Sequence, residues 1–152
     1  MPALVCVPIL VHDVHAARAE AQSAKLAGAD LVEFRIDEFF TGRDDESPAI
    51  LRLVAESALP CIVTCRAASE GGHYEGDDMA RIALYERLGT ASGKGEHPPR
   101  YLDVELATYA RSANIKQKVN LAVDHPAQLR ELRTGLILSM HDFIGRPNDL
   151  MR

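Results

Sequence analysis

Short β-branched runs alternate along this chain with longer stretches in which apolar residues recur at helical spacing. That alternation predicts βα units around a parallel sheet. The strands fall at 4–10, 31–37, 61–66, 101–107 and 136–142. Asp13 is placed to cap a first helix whose Val14, Ala17, Ala21 and Ala24 share one face, with Gly28 as its stop. A second helix is read over 47–57, and Pro60 punctuates before the third strand. A polar loop at 67–76, containing Gly71-Gly72, leads to a third helix that starts at Asp77 or Asp78 and ends near 88. The stretch 89–100 holds three glycines and two prolines and reads as a mobile connection. Between the last two strands, 112–123 is weakly patterned and 126–132 looks helical.

The polar positions within the strands say more. Side chains at i and i+2 share a face. Glu33, Arg35 and Asp37 therefore point one way on the second strand, Thr64 and Arg66 on the third, Asp103 and Glu105 on the fourth, and Ser139 and His141 on the fifth. The opposite faces are apolar: Val32, Phe34 and Ile36; Cys61, Val63 and Cys65; Leu102, Val104 and Leu106; Leu136, Leu138 and Met140. An open doubly wound sheet would be apolar on both faces. A barrel interior with its charged residues near the C-terminal strand ends fits better. A closed (β/α)₈ barrel takes about 250 residues. The 152 residues here, with five strands, thus predict an α/β chain forming a TIM-type (β/α) barrel that is incomplete, about five of eight units. The expectation is one partial domain over 1–152, truncated after the fifth strand. Its first and fifth strands would be bare edges, and Val7, Ile9 and Ile137 would be exposed interior. Homo-oligomerisation or association with the missing barrel strands follows.

Composition narrows the function classes. With 47% hydrophobic and 26% charged residues the chain can bury a core and is not disordered. A net charge of −5 and a pI near 5.6 disfavour a nucleic-acid partner. The apolar run 4–11, Pro8 included, is far short of the ~20 residues of a membrane helix. No Lys or Arg precedes it, so it does not read as a signal peptide, and a cytoplasmic protein is expected. Cys61 and Cys65, four residues apart on a strand, would lie ~13 Å apart, too far for a disulfide. With Cys6 they read as reduced thiols.

The candidate chemistry gathers on the strand ends: Glu33, Arg35, Arg66, Glu70, Asp103, Glu105, Ser139 and His141. Two guanidinium groups among four carboxylates make an ion-pair network, which either fixes strand register or lines a site. His141 is the group suited to proton exchange near neutral pH, and Glu70 is placed to hold its tautomer. A divalent-metal site built from Glu33, Asp37, Asp103, Glu105 and His141 is a second reading, with Arg35 and Arg66 against it. A non-catalytic domain that only associates with others is a third. No phosphate-binding glycine signature is present, and Ser139 does not sit on the sharp turn of a nucleophilic serine.

Four segments then carry a resemblance: VEFRIDEF (32–39), TCRAASEGG (64–72), YLDVELA (101–107) and LILSMHDF (136–143). In order and interval they resemble type I 3-dehydroquinate dehydratase, a shikimate-pathway lyase. RSANIKQKV (111–119) is similar to forms fused to shikimate dehydrogenase. The resemblance implies conversion of 3-dehydroquinate to 3-dehydroshikimate, without metal or organic cofactor, through an imine between a lysine and the substrate ketone. It implies His141 as the proton-transfer group, Glu70 as its orienting partner, and Glu33, Arg35 and Arg66 as substrate-binding residues. The family's Schiff-base lysine belongs to a sixth strand. Lys25, Lys94, Lys116 and Lys118 match no such position, so no Schiff-base lysine is expected in this chain and little activity from it alone.

Overall fold

Helix starts are set by local capping. In the computed structural model, which describes residues 3–91, 95–124, 133–143 and 145, Asp13 is extended and its carboxylate accepts the Ala16 N–H at 2.8 Å. This opens α1 (Val14–Leu26), which ends at Ala27 ahead of Gly28, whose φ is +92°. Ser112 does the same for a helix over Ala113–Val123, accepting the Ile115 N–H at 3.2 Å. Pro48 lies in the first turn of α2 (Ser47–Ala55), where its missing N–H costs nothing.

The chain runs β1 (Cys6–Leu10), α1, β2 (Leu31–Arg35), α2, β3 (Cys61–Thr64), α3 (Asp78–Gly89), β4 (Tyr101–Glu105), α4 (Leu106–Ala110), α5 (Ala113–Val123) and β5 (Gly135–Ser139). All five strands are parallel and lie in sequence order, β1-β2-β3-β4-β5. This is the open α/β sheet of a partial (β/α) barrel. The core lies between one sheet face and the helices. Ile9, Val32, Phe34, Cys61, Val63, Leu102 and Val104 meet Ala17 and Ala21 of α1, Ile50 and Leu53 of α2, Ile82 and Leu88 of α3, and Val119 of α5. Each large apolar side chain so buried contributes roughly 1.5–3 kcal/mol.

Several expectations need correction. Val7 and Ile9 pair with Val32 and Phe34 and so face the helices; Ile9 is fully buried and Val7 packs against the core. The other face of β1 carries Cys6, Pro8 and Leu10, all exposed. The run 4–11 has no polar residue to mark its inner side, so the alternation was unreadable there. The fourth strand stops at Glu105, and Leu106 opens a helix with its side chain exposed rather than continuing the apolar face. Residues 112–123, weakly patterned in sequence, form a helix with Ile115, Val119 and Ala122 buried. Leu138 and Met140, on the outer strand β5 and just past its end, are exposed. Ile137 is half-buried. The helix read over 126–132 lies outside the described residues, as does Lys94. No helix among the described residues is long and apolar enough to cross a membrane.

Candidate functional site

Parallel register lines up the polar residues. Leu10, Arg35, Thr64, Asp103 and Ile137 form one row across the sheet, on the face away from the helices. Glu33 lies one step before it on β2, and Ser139, which pairs with Glu105, one step after it on β5. Arg66 and His141 follow just past the ends of β3 and β5. The charged side chains thus gather toward the C-terminal ends of the strands.

Within that group the contacts are specific. The Thr64 hydroxyl donates to Glu33 Oε1 at 2.7 Å. Arg66, almost fully buried, donates from Nη1 to Ser139 Oγ at 2.6 Å and pairs Nη2 with Asp103 Oδ1 at 3.0 Å. Ser139 in turn donates to Asp103 Oδ1 at 2.7 Å, and Glu70 Oε2 stands 4.0 Å from Arg66 Nη1. Burial holds the Asp103 carboxyl above its ordinary range, against the pull of the Ser139 hydrogen bond and the Arg66 charge.

Glu70 and His141 meet across two loops. Glu70 Oε2 accepts the His141 backbone N–H at 3.1 Å and lies 3.3 Å from Nδ1. A carboxylate at Nδ1 favours the Nδ1–H tautomer and leaves Nε2 as the basic nitrogen. Glu70 ends a 3₁₀ turn (Ala68–Glu70) that Gly71, at φ +78°, terminates. Gly72 folds so closely back on Arg66 that any β-carbon would overlap the Arg66 carbonyl. The Gly-Gly pair therefore lets Glu70 return over the strand end.

Arg35 is held differently. Its Nε and Nη2 donate to the two oxygens of Asp37, at 2.9 and 3.1 Å. Asp37 also accepts the His73 backbone N–H at 3.0 Å, an arrangement that no sequence spacing marks. Burial alone would raise the Asp37 carboxyl, but the Arg35 hydrogen bond and charge, with the backbone N–H groups, hold it below its usual range.

Glu105 departs from expectation. Its carboxylate bonds Arg81 of α3 and the Ala67 N–H instead of joining Asp103, with Arg81 Nη1 2.9 Å from both oxygens. Arg81 escaped sequence reasoning because a lone arginine at a helical position reads as surface. Its only cue is its place among Ile82, Leu84 and Tyr85. The four acids and the imidazole of the metal reading are thus engaged elsewhere, and among the described residues no three metal-binding side chains gather. Cys61 and Cys65 are buried free thiols; burial pushes the first up to about 12 and the second likewise above its ordinary range. A cavity lined by Pro60, Cys61, His97, Pro99 and Arg133 opens at the opposite, N-terminal end of the strands, away from the charged cluster.

Comparison with known proteins gives these residues a context. The family model for type I 3-dehydroquinase matches residues 5–152. The 3-dehydroquinate dehydratase of Klebsiella pneumoniae is 32% identical over 149 residues, covering 95% of this chain and 53% of the relative. The chloroplastic bifunctional 3-dehydroquinate dehydratase/shikimate dehydrogenase of Arabidopsis thaliana is 35% identical over 107 residues, 69% of this chain and 16% of that protein. The crystal structure of 3-dehydroquinate dehydratase from Geobacillus kaustophilus superposes with a TM-score of 0.70 at 25% identity, covering 97% of this chain and 53% of that one. The chain spans about half the length of the single-function relatives it matches. With a family match that runs almost end to end, on a parallel sheet of the same fold, this chain belongs to the type I 3-dehydroquinase family.

Proposed function

We propose that this chain carries a substrate half-site and the proton-transfer group of a 3-dehydroquinate dehydratase, the reaction that removes water to give 3-dehydroshikimate. The observation that carries the reading is the Glu70–His141 contact above the buried Arg66–Asp103–Ser139 cluster. His141, partly exposed and oriented through Nδ1, takes the proton alpha to the substrate's imine carbon. It then hands that proton to the departing hydroxyl, which leaves as water. Glu70 is the orienting carboxylate. Arg35 and Arg66 supply positive charge for an acidic substrate, and Glu33, bonded to Thr64, is an acceptor for its hydroxyls.

None of the lysines among the described residues supplies the imine nucleophile of this half-site. Lys25 is on α1, on the helix side of the sheet. Lys116 and Lys118 are on α5, the first over the Tyr109 ring and the second 4.0 Å from Glu86. The proposal is therefore one partial barrel domain, of cytoplasmic setting, that associates with further barrel strands or with its own kind.

Borohydride trapping tests the chemistry: the chain is incubated with 3-dehydroquinate, reduced, and its intact mass measured. No adduct and no conversion are expected. An adduct mapped to any lysine of this chain would overturn the claim that the nucleophile is missing. Calorimetry tests the half-site separately, with weak 3-dehydroquinate binding expected in the native chain and none in Arg66→Ala. A native chain that binds nothing would overturn the substrate assignment.

A further inference from the structure

Arg81 stands in the first turn of α3 yet is 1% exposed. Its Nη1 donates to the Cys65 carbonyl at 2.6 Å and to both oxygens of Glu105. Its Nη2 donates to Asp78 at 2.6 Å and to Thr108 Oγ1 at 3.2 Å, and its guanidinium lies 5.2 Å from the centre of the Tyr74 ring. Glu105 completes the grip by accepting the Ala67 N–H at 2.8 Å. The ion pair therefore holds the carbonyl just before Arg66 and the N–H just after it. Sheet pairing between β3 and β4 has already ended at Thr64, so the ladder does not place Arg66.

A buried ion pair is a poor way to gain stability, since apolar side chains of similar volume serve as well without the desolvation cost. Arg81 carries that cost visibly, with Nε buried and without a hydrogen-bond partner. What apolar residues cannot do is donate to one peptide group and accept from another. We propose that Arg81, with Glu105, is a positioning residue for this site. It fixes the peptide groups on either side of Arg66 and, through the 3₁₀ turn that follows, sets Glu70 against His141. The proposal rests on the dehydratase reading for its meaning, and its first readout does not depend on it.

The test is Arg81→Lys, which keeps the charge and loses the planar fork. Long-range ¹H–¹⁵N correlation spectra of histidine-labelled protein report the Nδ1–H tautomer of His141, and calorimetry reports 3-dehydroquinate affinity. The variant is expected to lose the Nδ1–H tautomer preference and to weaken binding about tenfold or more. Val119→Ala, a core truncation on α5 that also lowers stability, is expected to change neither. Should Arg81→Lys not fold, Glu105→Gln keeps an acceptor for Ala67 and is expected to shift both readouts the same way by less. A folded variant with a native His141 tautomer would overturn the proposal, as would an equal shift in Val119→Ala. If the native chain binds no 3-dehydroquinate, the substrate assignment fails while the tautomer signal still decides the role of Arg81.

Discussion

Asp37 and Asp103 are both buried carboxylates beside an arginine, yet their surroundings push them in opposite directions. Around Asp103 burial wins, and its carboxyl is held up. Around Asp37 the two-pronged Arg35 contact and two backbone N–H groups outweigh burial, and its carboxyl is held down. A carboxyl depressed in the folded state contributes stability above its ordinary value, about 3.9, and loses it as pH falls through the depressed value. Asp37→Asn is therefore expected to cost about 3 kcal/mol at neutral pH, the range for breaking a buried pair. The gap should narrow as pH drops from 4 toward 2, read from urea midpoints of both proteins across that range. An equal gap at pH 2 would mean that shape, not charge, holds this corner. At this scale the i, i+2 rule placed Glu33, Arg35, Thr64 and Asp103 on one face. It failed for Glu105, because the rule fixes where a side chain leaves the backbone and not where a long, flexible head group finds its partner.

Elements were legible where small or polar residues punctuate them, as Asp13 and Gly28 do for α1. Helix α5 was obscured because its buried face is only Ile115, Val119 and Ala122, between lysines and asparagines. Its place is set by another helix: Gly89, the last residue of α3, lies so close to α5 that a β-carbon would overlap the Ala122 carbonyl. Replacing an exposed helical glycine by alanine ordinarily stabilises by up to ~1 kcal/mol. Here the sign reverses. Gly89→Ala is expected to destabilise by about 1–3 kcal/mol through overpacking. Asp13→Ala should cost about 1 kcal/mol through the lost cap. Thermal melts of both variants check this, and a Gly89→Ala protein as stable as the parent would show that α3 and α5 can separate at little cost.

At the scale of the whole sheet, the two outer strands are not equivalent. Val11 N–H donates to Arg35, so alternation turns the backbone nitrogens of Val7 and Ile9 toward β2 and that of Pro8 toward the free edge. Proline there has no N–H to offer another strand, a common protection for an edge. Among the described residues strand β5 has no such guard. Gly135 donates inward to Arg100, which leaves the N–H groups of Leu136 and Leu138 pointing outward along a strand with neither proline nor charge. Beside it Leu138, Met140 and Phe143 are exposed. Association of the chain is therefore expected to run through β5 and not through β1. Light scattering coupled to size-exclusion chromatography over a hundredfold concentration range should show an apparent mass rising above 16.6 kDa. Leu138→Lys, a charge on the open strand, should return it toward the monomer, whereas Leu10→Lys on β1 should not. A monomer at every concentration would remove self-association from the proposal. Equal effects of the two lysines would mean that the copies meet through the charged face of the sheet, where Arg35 and Asp103 lie, rather than along its edge.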